Sequence, residues 1–268
     1  MASPPSQEHP SGPEPEFPST GPPAPDVAAD AAGHRVWRPG AWPVVAPHLH
    51  TVPAWARPSE VEQRTAAAAA VVVAIGLQLV TPSALVFGPR WLVPAVEVAL
   101  LVVLGVSSRQ FGEGRVGIGR LIAVMLSAVL AAANLTSTAL LVHALVSGGG
   151  SITAGRLLGS GVCVWVTNVI AFALLYWELD RGGPLARAAA THPFPDFLFP
   201  QMAQPGLAAP DWEPYFADYL YVSFTNATAF SPTDTMPLSR WSKGLMLVQS
   251  GVALVTVGLV FARAVNVL

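Results

Sequence analysis

The sequence predicts an all-α fold: a multi-pass transmembrane helical bundle of about five spans, with one re-entrant helix and a disordered N-terminal tail. Three observations carry that prediction. Only 11% of the 268 residues are charged and 52% are hydrophobic, with a mean hydropathy of +0.50. A water-soluble domain carries about 25% charged residues, so water is a poor solvent for most of this chain. Several apolar stretches also approach the about 20 residues that a helix needs to cross a hydrocarbon core of roughly 30 Å. Ahead of the last stretch, an aromatic segment from Tyr215 to Phe230 runs into Ser231-Pro232-Thr233-Asp234 and a polar hairpin. Short helix, tight polar loop, spanning helix is the order of a segment that dips into a bilayer and turns back. Such non-helical backbone survives at membrane depth only inside protein or beside a water-filled cavity.

The tail comes first. Residues 1–58 hold 14 of the 26 prolines, with Glu8, Glu14, Glu16, Asp26 and Asp30 and almost no aliphatic clusters. A segment of that composition cannot bury enough apolar area to offset its ordering entropy. Its second part, His34 to Arg57, mixes Trp37, Trp42 and Trp55 with Arg35, Arg38 and Arg57. Tryptophan and arginine favour the headgroup layer, so a surface-lying segment and a plain linker both fit. The first 30 residues lack the apolar core of a signal peptide, so insertion is expected to rest on the first hydrophobic helix.

Residues 59–180 read as a four-helix membrane domain. Thr65 to Pro89 carries no charge and holds the first span, near Ala66 to Phe87, with Pro82 bending or ending it. Trp91 to Ser108 makes the second, with Glu97 as its one acidic residue. Leu121 to about Val146 makes the third, stopped by Gly148-Gly149-Gly150. Leu157 to Trp177 makes the fourth, closed by Glu178 and Asp180, and the run through Arg181-Gly182-Gly183-Pro184 reads as a charged helix exit and turn, with an ion-pair clamp near the pore mouth as the alternative. Residues 181–213 form a loop rich in proline and aromatics, expected to be ordered but irregular or interfacial. Residues 214–268 hold the short helix and the last span, Ser242 to about Val267.

Orientation is contradictory. Arg35, Arg38, Arg57 and Arg64 flank the first span, and Arg109, Arg115 and Arg120 lie between the second and third, which places the N-terminus in the cytoplasm. Five spans then put the long loop inside, opposite to the side from which a potassium-type pore loop enters.

From Asp218 to Asn266 the text is DYLYVSFTNATAFSPTDTMPLSRWSKGLMLVQSGVALVTVGLVFARAVN. It resembles the pore helix, filter and inner helix of potassium-channel-type proteins, where an aromatic helix leads to a threonine turn, TVGYGD, a proline-bearing loop and the inner helix. Tyr219, Tyr221 and Phe224 match the aromatics, Ala227-Thr228 the turn, and Ala229-Phe230-Ser231-Pro232-Thr233-Asp234 stands ungapped in the filter register, with Pro237 after it. The resemblance covers about a fifth of the chain. The whole chain also resembles an uncharacterised family of bacterial multi-pass membrane proteins. The likeness implies a re-entrant pore-like helix, a homo-oligomer around an axis, and monovalent cations as partners besides the lipid bilayer. It also departs from the family. Ser231 and Thr233 replace the two filter glycines, and Pro232 restricts its own φ and the residue before it. A potassium-selective ladder of backbone carbonyls is therefore not expected. The hydroxyls of Thr228, Ser231 and Thr233 remain candidate pore-lining groups, with Asp234 as a candidate acidic ring. The same Ser-Pro-Thr-Asp text also makes a good turn with no pore.

Ionisable groups within spans are costly and point to function. Glu97 is a candidate intramembrane ion or proton site, or a hydrated carboxyl near the interface. His143 is a candidate proton relay, or a histidine bonded to a neighbouring helix. Asn134 with Thr136 and Thr138, Asn168 with Thr167, and Gln249 read as hydrogen-bond glue between helices. Arg263 is expected to snorkel or to pair with a neighbouring carboxylate. Cys163, alone, reads as a small buried hydrophobe. A net charge of −2 gives no basic face for nucleic acid. No Ser-His-Asp set, HExxH, CxxC or phosphate-binding glycine loop is present, so neither an enzyme nor a cofactor is expected. The expected function is a cation-channel-like protein of the cell membrane. The alternatives are a non-conducting membrane scaffold that reuses the pore fold, and a small proton-coupled transporter built on Glu97.

Overall fold

The computed structural model of the chain describes residues 53–62, 64–110, 116–147, 153–204, 208–228 and 234–265, together with 28–29 and 35–36. Two compact units divide the chain, Met1–Thr51 and Val52–Leu268. In the first unit the described residues form a two-rung antiparallel ladder, β1 (Ala28–Ala29) with β2 (Arg35–Val36). The rest of the tail expected to be disordered lies outside the described residues, up to a 3-10 turn at Ala54–Ala56.

The second unit is a helical bundle. Its first helix, α1 (Thr65–Val80), has 16 residues and is about 24 Å long. The span predicted to reach Phe87 is cut at Val80. Thr81 is extended (φ −63°, ψ 134°), as the residue before a proline tends to be, and a 3-10 turn at Ser83–Leu85 follows Pro82. The chain returns through α2 (Leu92–Gln110). The longest helix, α3 (Val116–Val146), starts ahead of the predicted Leu121 and takes in Arg120. Next comes α4 (Ala154–Leu179).

By length and composition, three helical stretches among the described residues are able to cross a membrane: Gly117–Val146, Leu158–Gly182 and Arg240–Ala262. The helices Thr65–Val80 and Leu92–Val103 are apolar but shorter.

The bundle is organised around α4, which packs against α1, α3 and two later helices, α7 (Phe216–Thr228) and α8 (Arg240–Val265). The large side chains Phe172, Tyr176 and Trp177 of α4 are fully buried, with Phe197 and Tyr219 against them. The outer helices differ: 67% of the apolar window of α4 is buried within the chain, against 22% for α8. The uncovered side of α8 shows Leu247, Leu254 and Phe261. So large an apolar face requires lipid or another protein surface.

Among its described residues, the loop after α4 is mostly irregular. It holds two single-turn helices, α5 (Pro184–Ala188) and α6 (Pro200–Ala203), and a short strand, β3 (Phe197–Leu198), paired with β4 (Met236–Pro237). Glycine is required at the sharp exit from α4. Gly182 and Gly183 have φ of 83° and 93°, and a Cβ on Gly183 would sit 2.9 Å from the carbonyl oxygen of Glu178.

Two carboxylates start α7. Asp218, in its first turn, accepts the backbone N–H of Tyr215 at 2.8 Å, and Glu62 accepts that of Phe216 at 2.8 Å. Both satisfy orphan amides at the positive end of the helix. The helix then runs antiparallel to α4. Tyr219 bonds Asp180, Ser223 bonds the carbonyl of Val169, and Trp165 donates to the carbonyl of Ala227. From Asp180 back to Trp165 is about 22 Å along a helix. By Met236 the chain is again beside Leu198, at the end of the bundle where α7 began. Ser239, whose hydroxyl accepts the backbone N–H of Ser242, caps α8.

Candidate functional site

The pore-loop candidates are divided. Thr228 ends α7, half-buried, with its hydroxyl donating to the carbonyl of Thr225 at 2.7 Å. Asp234 is exposed. Ser231 and Thr233 lie outside the described residues. The helix that presents Thr228 is held by a polar network on its inner side. Gln249 of α8, fully buried, accepts from the Tyr176 hydroxyl at 2.6 Å and from Asn226 at 2.8 Å. Its own amide donates to the Ser223 hydroxyl at 2.6 Å and to the Ser223 carbonyl at 2.9 Å. Asn226 also donates to the carbonyl of Met246 at 3.0 Å, and Ser250 donates back to Asn226 at 2.9 Å. Three helices are thus joined through side chains, which gives Gln249 the interhelical role expected of it.

The other expected glue differs. Thr138 donates to the carbonyl of Asn134, four residues back in its own helix, and Thr136 to that of Ala132. The side-chain nitrogen and oxygen of Asn134 and of Asn168 are buried and, among the described residues, without partners. A polar residue can face a neighbouring helix without meeting a complementary group there, and sequence spacing does not reveal which.

Glu97 is fully buried rather than hydrated at an interface. Its partner is Gln78 of α1, whose amide donates to both carboxyl oxygens, at 2.9 and 3.1 Å. The α1–α2 hairpin brings these two positions together directly. His143 is exposed on α3. Cys163 is half-buried. The side chain of Arg263 is outside the described residues.

The densest polar cluster is the one read from sequence as a charged helix exit. Asp180 is fully buried and accepts three hydrogen bonds: from the backbone N–H of Asp196 at 2.9 Å, that of Phe197 at 3.3 Å, and the Tyr219 hydroxyl at 2.5 Å. Asp196 in turn accepts the backbone N–H of Arg181 and the indole N–H of Trp241, each at 2.9 Å. Arg187 donates to the carbonyls of Trp177 and Asp180 and lies over the ring of Tyr219, 5.1 Å from its centroid. Arg181, also buried, donates to the carbonyls of Trp55 and His192. Arg64 pairs with Glu178 at 2.9 Å. This ion pair ties the start of α1 to the end of α4. The signal available in sequence was the density of charge at one helix end. The partners come from 55 to 241, and nothing local announces them.

Glu62 belongs to this cluster and lies outside the long helices. Its carboxylate accepts the Trp177 indole N–H at 2.6 Å as well as the amide of Phe216. Burial pushes its pKa above the ordinary value of 4.5. The two hydrogen bonds and the Arg187 charge oppose that shift, and the Asp218 charge adds to it. The folded state therefore binds the Glu62 proton more tightly than the unfolded state does. Its contribution to stability is fully present below pH 4.5 and is lost as pH rises through the raised folded value. Thermal unfolding followed from about pH 4 to about pH 7 should show this loss, and Glu62→Gln should flatten it. An unchanged slope in that variant would assign the pH dependence to other groups.

A crevice of about 290 Å³ opens beside the α1–α2 turn, bounded by Gln78, Thr81, Arg90, Asn134 and Thr167 and by apolar side chains of α2, α3 and α4. No protein-family model, no curated protein and no solved structure matches this chain.

Proposed function

We propose that the chain is a multi-pass protein of the cell membrane that crosses the bilayer five times, through α1 to α4 and α8. In this reading α7 and the residues after it form a re-entrant pore module that passes monovalent cations without potassium selectivity. The observation that carries the reading is the course of α7. It starts beside Asp180 and Glu62, reaches Trp165, and the chain is back beside Leu198 by Met236. A segment that enters and leaves at one end of a bundle, sheltered by α4 and α8, meets the condition for non-spanning backbone at membrane depth. The two shorter helices, about 24 and about 29 Å, come close to the core thickness, and a modest mismatch is absorbed by local thinning of the bilayer. One loop cannot enclose an axis, so the pore requires several copies, with the exposed apolar residues of α7 and α8 among the surfaces they cover. Thr228, Ser231 and Thr233 then line the constriction and Asp234 makes an acidic ring.

A second reading, a non-conducting scaffold, is favoured by one detail: the Thr228 hydroxyl is spent on a carbonyl of its own helix. Liposomes containing the purified protein separate the two. Sodium or potassium flux is expected from the native protein, falling several-fold in Asp234→Asn. A flat trace from both makes the scaffold the better account. Flux that follows an imposed pH gradient and vanishes in Glu97→Gln would instead favour a transporter built on the Glu97–Gln78 pair.

A further inference from the structure

We propose that the crevice beside the α1–α2 turn is a binding site for an anionic membrane phospholipid. Arg90 holds the phosphate, the apolar wall takes one acyl chain, and the Asn134 amide donates to the ester carbonyl of that chain. The inference rests on the membrane reading above.

The crevice follows from helix lengths. Arg64 and Arg120 lie at one end of the bundle, both close to Glu178. From there α3 continues to Val146, about 39 Å, whereas α1 stops at Val80, about 24 Å. The last residue of α1 therefore lies roughly 15 Å short of the far end of α3, and the turn after it leans on α3 through Leu85, which packs with Leu141 and Leu145. The space lies between the turn, α2, α3 and α4, and on α3 it is lined by residues from Val129 to Ser137.

Its chemistry is two-sided. Val86, Phe87, Val93, Val129 and Val164 give it an apolar wall. Of the polar residues that line it, two carry the argument. Arg90 donates to the carbonyl of Leu79 near the C-terminal end of α1, which fixes the guanidinium at the mouth and leaves further N–H donors free for an anion. A guanidinium matches a phosphate through paired N–H bonds. Asn134 lines the inner wall, 2% exposed, with neither of its side-chain polar atoms partnered among the described residues. Buried amides are almost always bonded, so an unpartnered one beside a cavity indicates that the cavity's occupant bonds it. Phe87 and Trp91, both exposed on the same turn, have the character of interfacial anchors. A small soluble anion would satisfy Arg90 but leave the apolar wall and Asn134 unused; a neutral chain would leave the guanidinium unpaired. Only a molecule with both parts uses every feature.

The full-length protein in a mild neutral detergent tests this. Four additives are compared by thermal unfolding and by native mass spectrometry: dioleoyl phosphatidylglycerol, dioleoyl phosphatidylcholine, glycerol phosphate and oleate. The expected result is one retained phosphatidylglycerol and a rise of several degrees in Tm with that lipid alone. Arg90→Gln should weaken its retention by about ten-fold. Asn134→Leu should also weaken retention of phosphatidylglycerol, since it removes the contact to its ester. Arg90→Lys keeps the charge but not the fork, and should fall between native and Arg90→Gln. Equal retention of the two phospholipids, full stabilisation by glycerol phosphate or oleate, or unchanged retention in Arg90→Gln would each overturn the site. Alkaline carbonate extraction of membranes separates the two claims. Release of the chain overturns the membrane reading, whereas retention with no preference for phosphatidylglycerol overturns the lipid site alone.

Discussion

Asp180→Ala is expected to destabilise this protein more than any other single polar substitution, by about 3–5 kcal/mol. The carboxylate is fully buried, and truncation strands three donors at once: the Tyr219 hydroxyl and the backbone N–H groups of Asp196 and Phe197. It also removes one of the three carboxylates, with those of Glu62 and Glu178, whose charge acts on the buried guanidinium of Arg187. A buried cation that loses part of its counter-charge is less well compensated for its desolvation. Asp180→Asn should fall short of the full loss: it keeps the shape and one acceptor but points an N–H₂ at groups that are themselves donors. Coupling should be visible too. Tyr219→Phe combined with Asp180→Asn should cost less than the sum of the single changes, because both remove the same bond. The readout is the thermal or denaturant midpoint of detergent-purified protein. A midpoint for Asp180→Ala within a degree or two of native would mean that the cluster does not hold α4, α7 and the 181–213 loop together.

Gln249→Leu comes next, with an expected loss of about 2 kcal/mol. Interhelical hydrogen bonds between membrane helices average about 0.6 kcal/mol each, and Gln249 makes four. Leucine conserves most of the volume, so the effect reports on the network rather than on a cavity. It removes the acceptor of the Tyr176 hydroxyl and leaves Asn226 with its bonds to that hydroxyl, to the Met246 carbonyl and to Ser250. The structural consequence should be a looser seat for the C-terminal half of α7. In a Cys163→Ser background, a cysteine at Thr228 should react faster with a maleimide once Gln249 is leucine. Equal labelling rates would show that α7 is held by its apolar contacts alone.

Legibility in the sequence followed the range of the interaction. The apolar helices could be read because burial in a lipid-like environment is written into each segment's own composition, and Pro82 announced the end of the first. The beginning of α3 was misplaced because a charge at a helix end marks the edge of an apolar run and not the edge of the helix. Glu97 stood out as an intramembrane carboxyl, yet its partner Gln78 did not, because a hairpin's register depends on how two helices pack. The run at 178–184 was seen as a helix exit and undervalued, since its meaning comes from Trp55, Glu62, Arg64, Tyr219 and Trp241, residues scattered over most of the chain.

Composition alone therefore determined that this chain is helical and largely apolar, with its charges gathered at helix ends, because those properties are local sums over neighbouring residues. Which polar groups meet was decided only by the fold: Asp180 with Tyr219, Gln249 with Tyr176 and Asn226, Glu97 with Gln78, and Asn134 with none among the described residues. A buried hydrogen bond needs two groups within about 3 Å at a usable angle. Only the packing of whole helices against one another sets that distance.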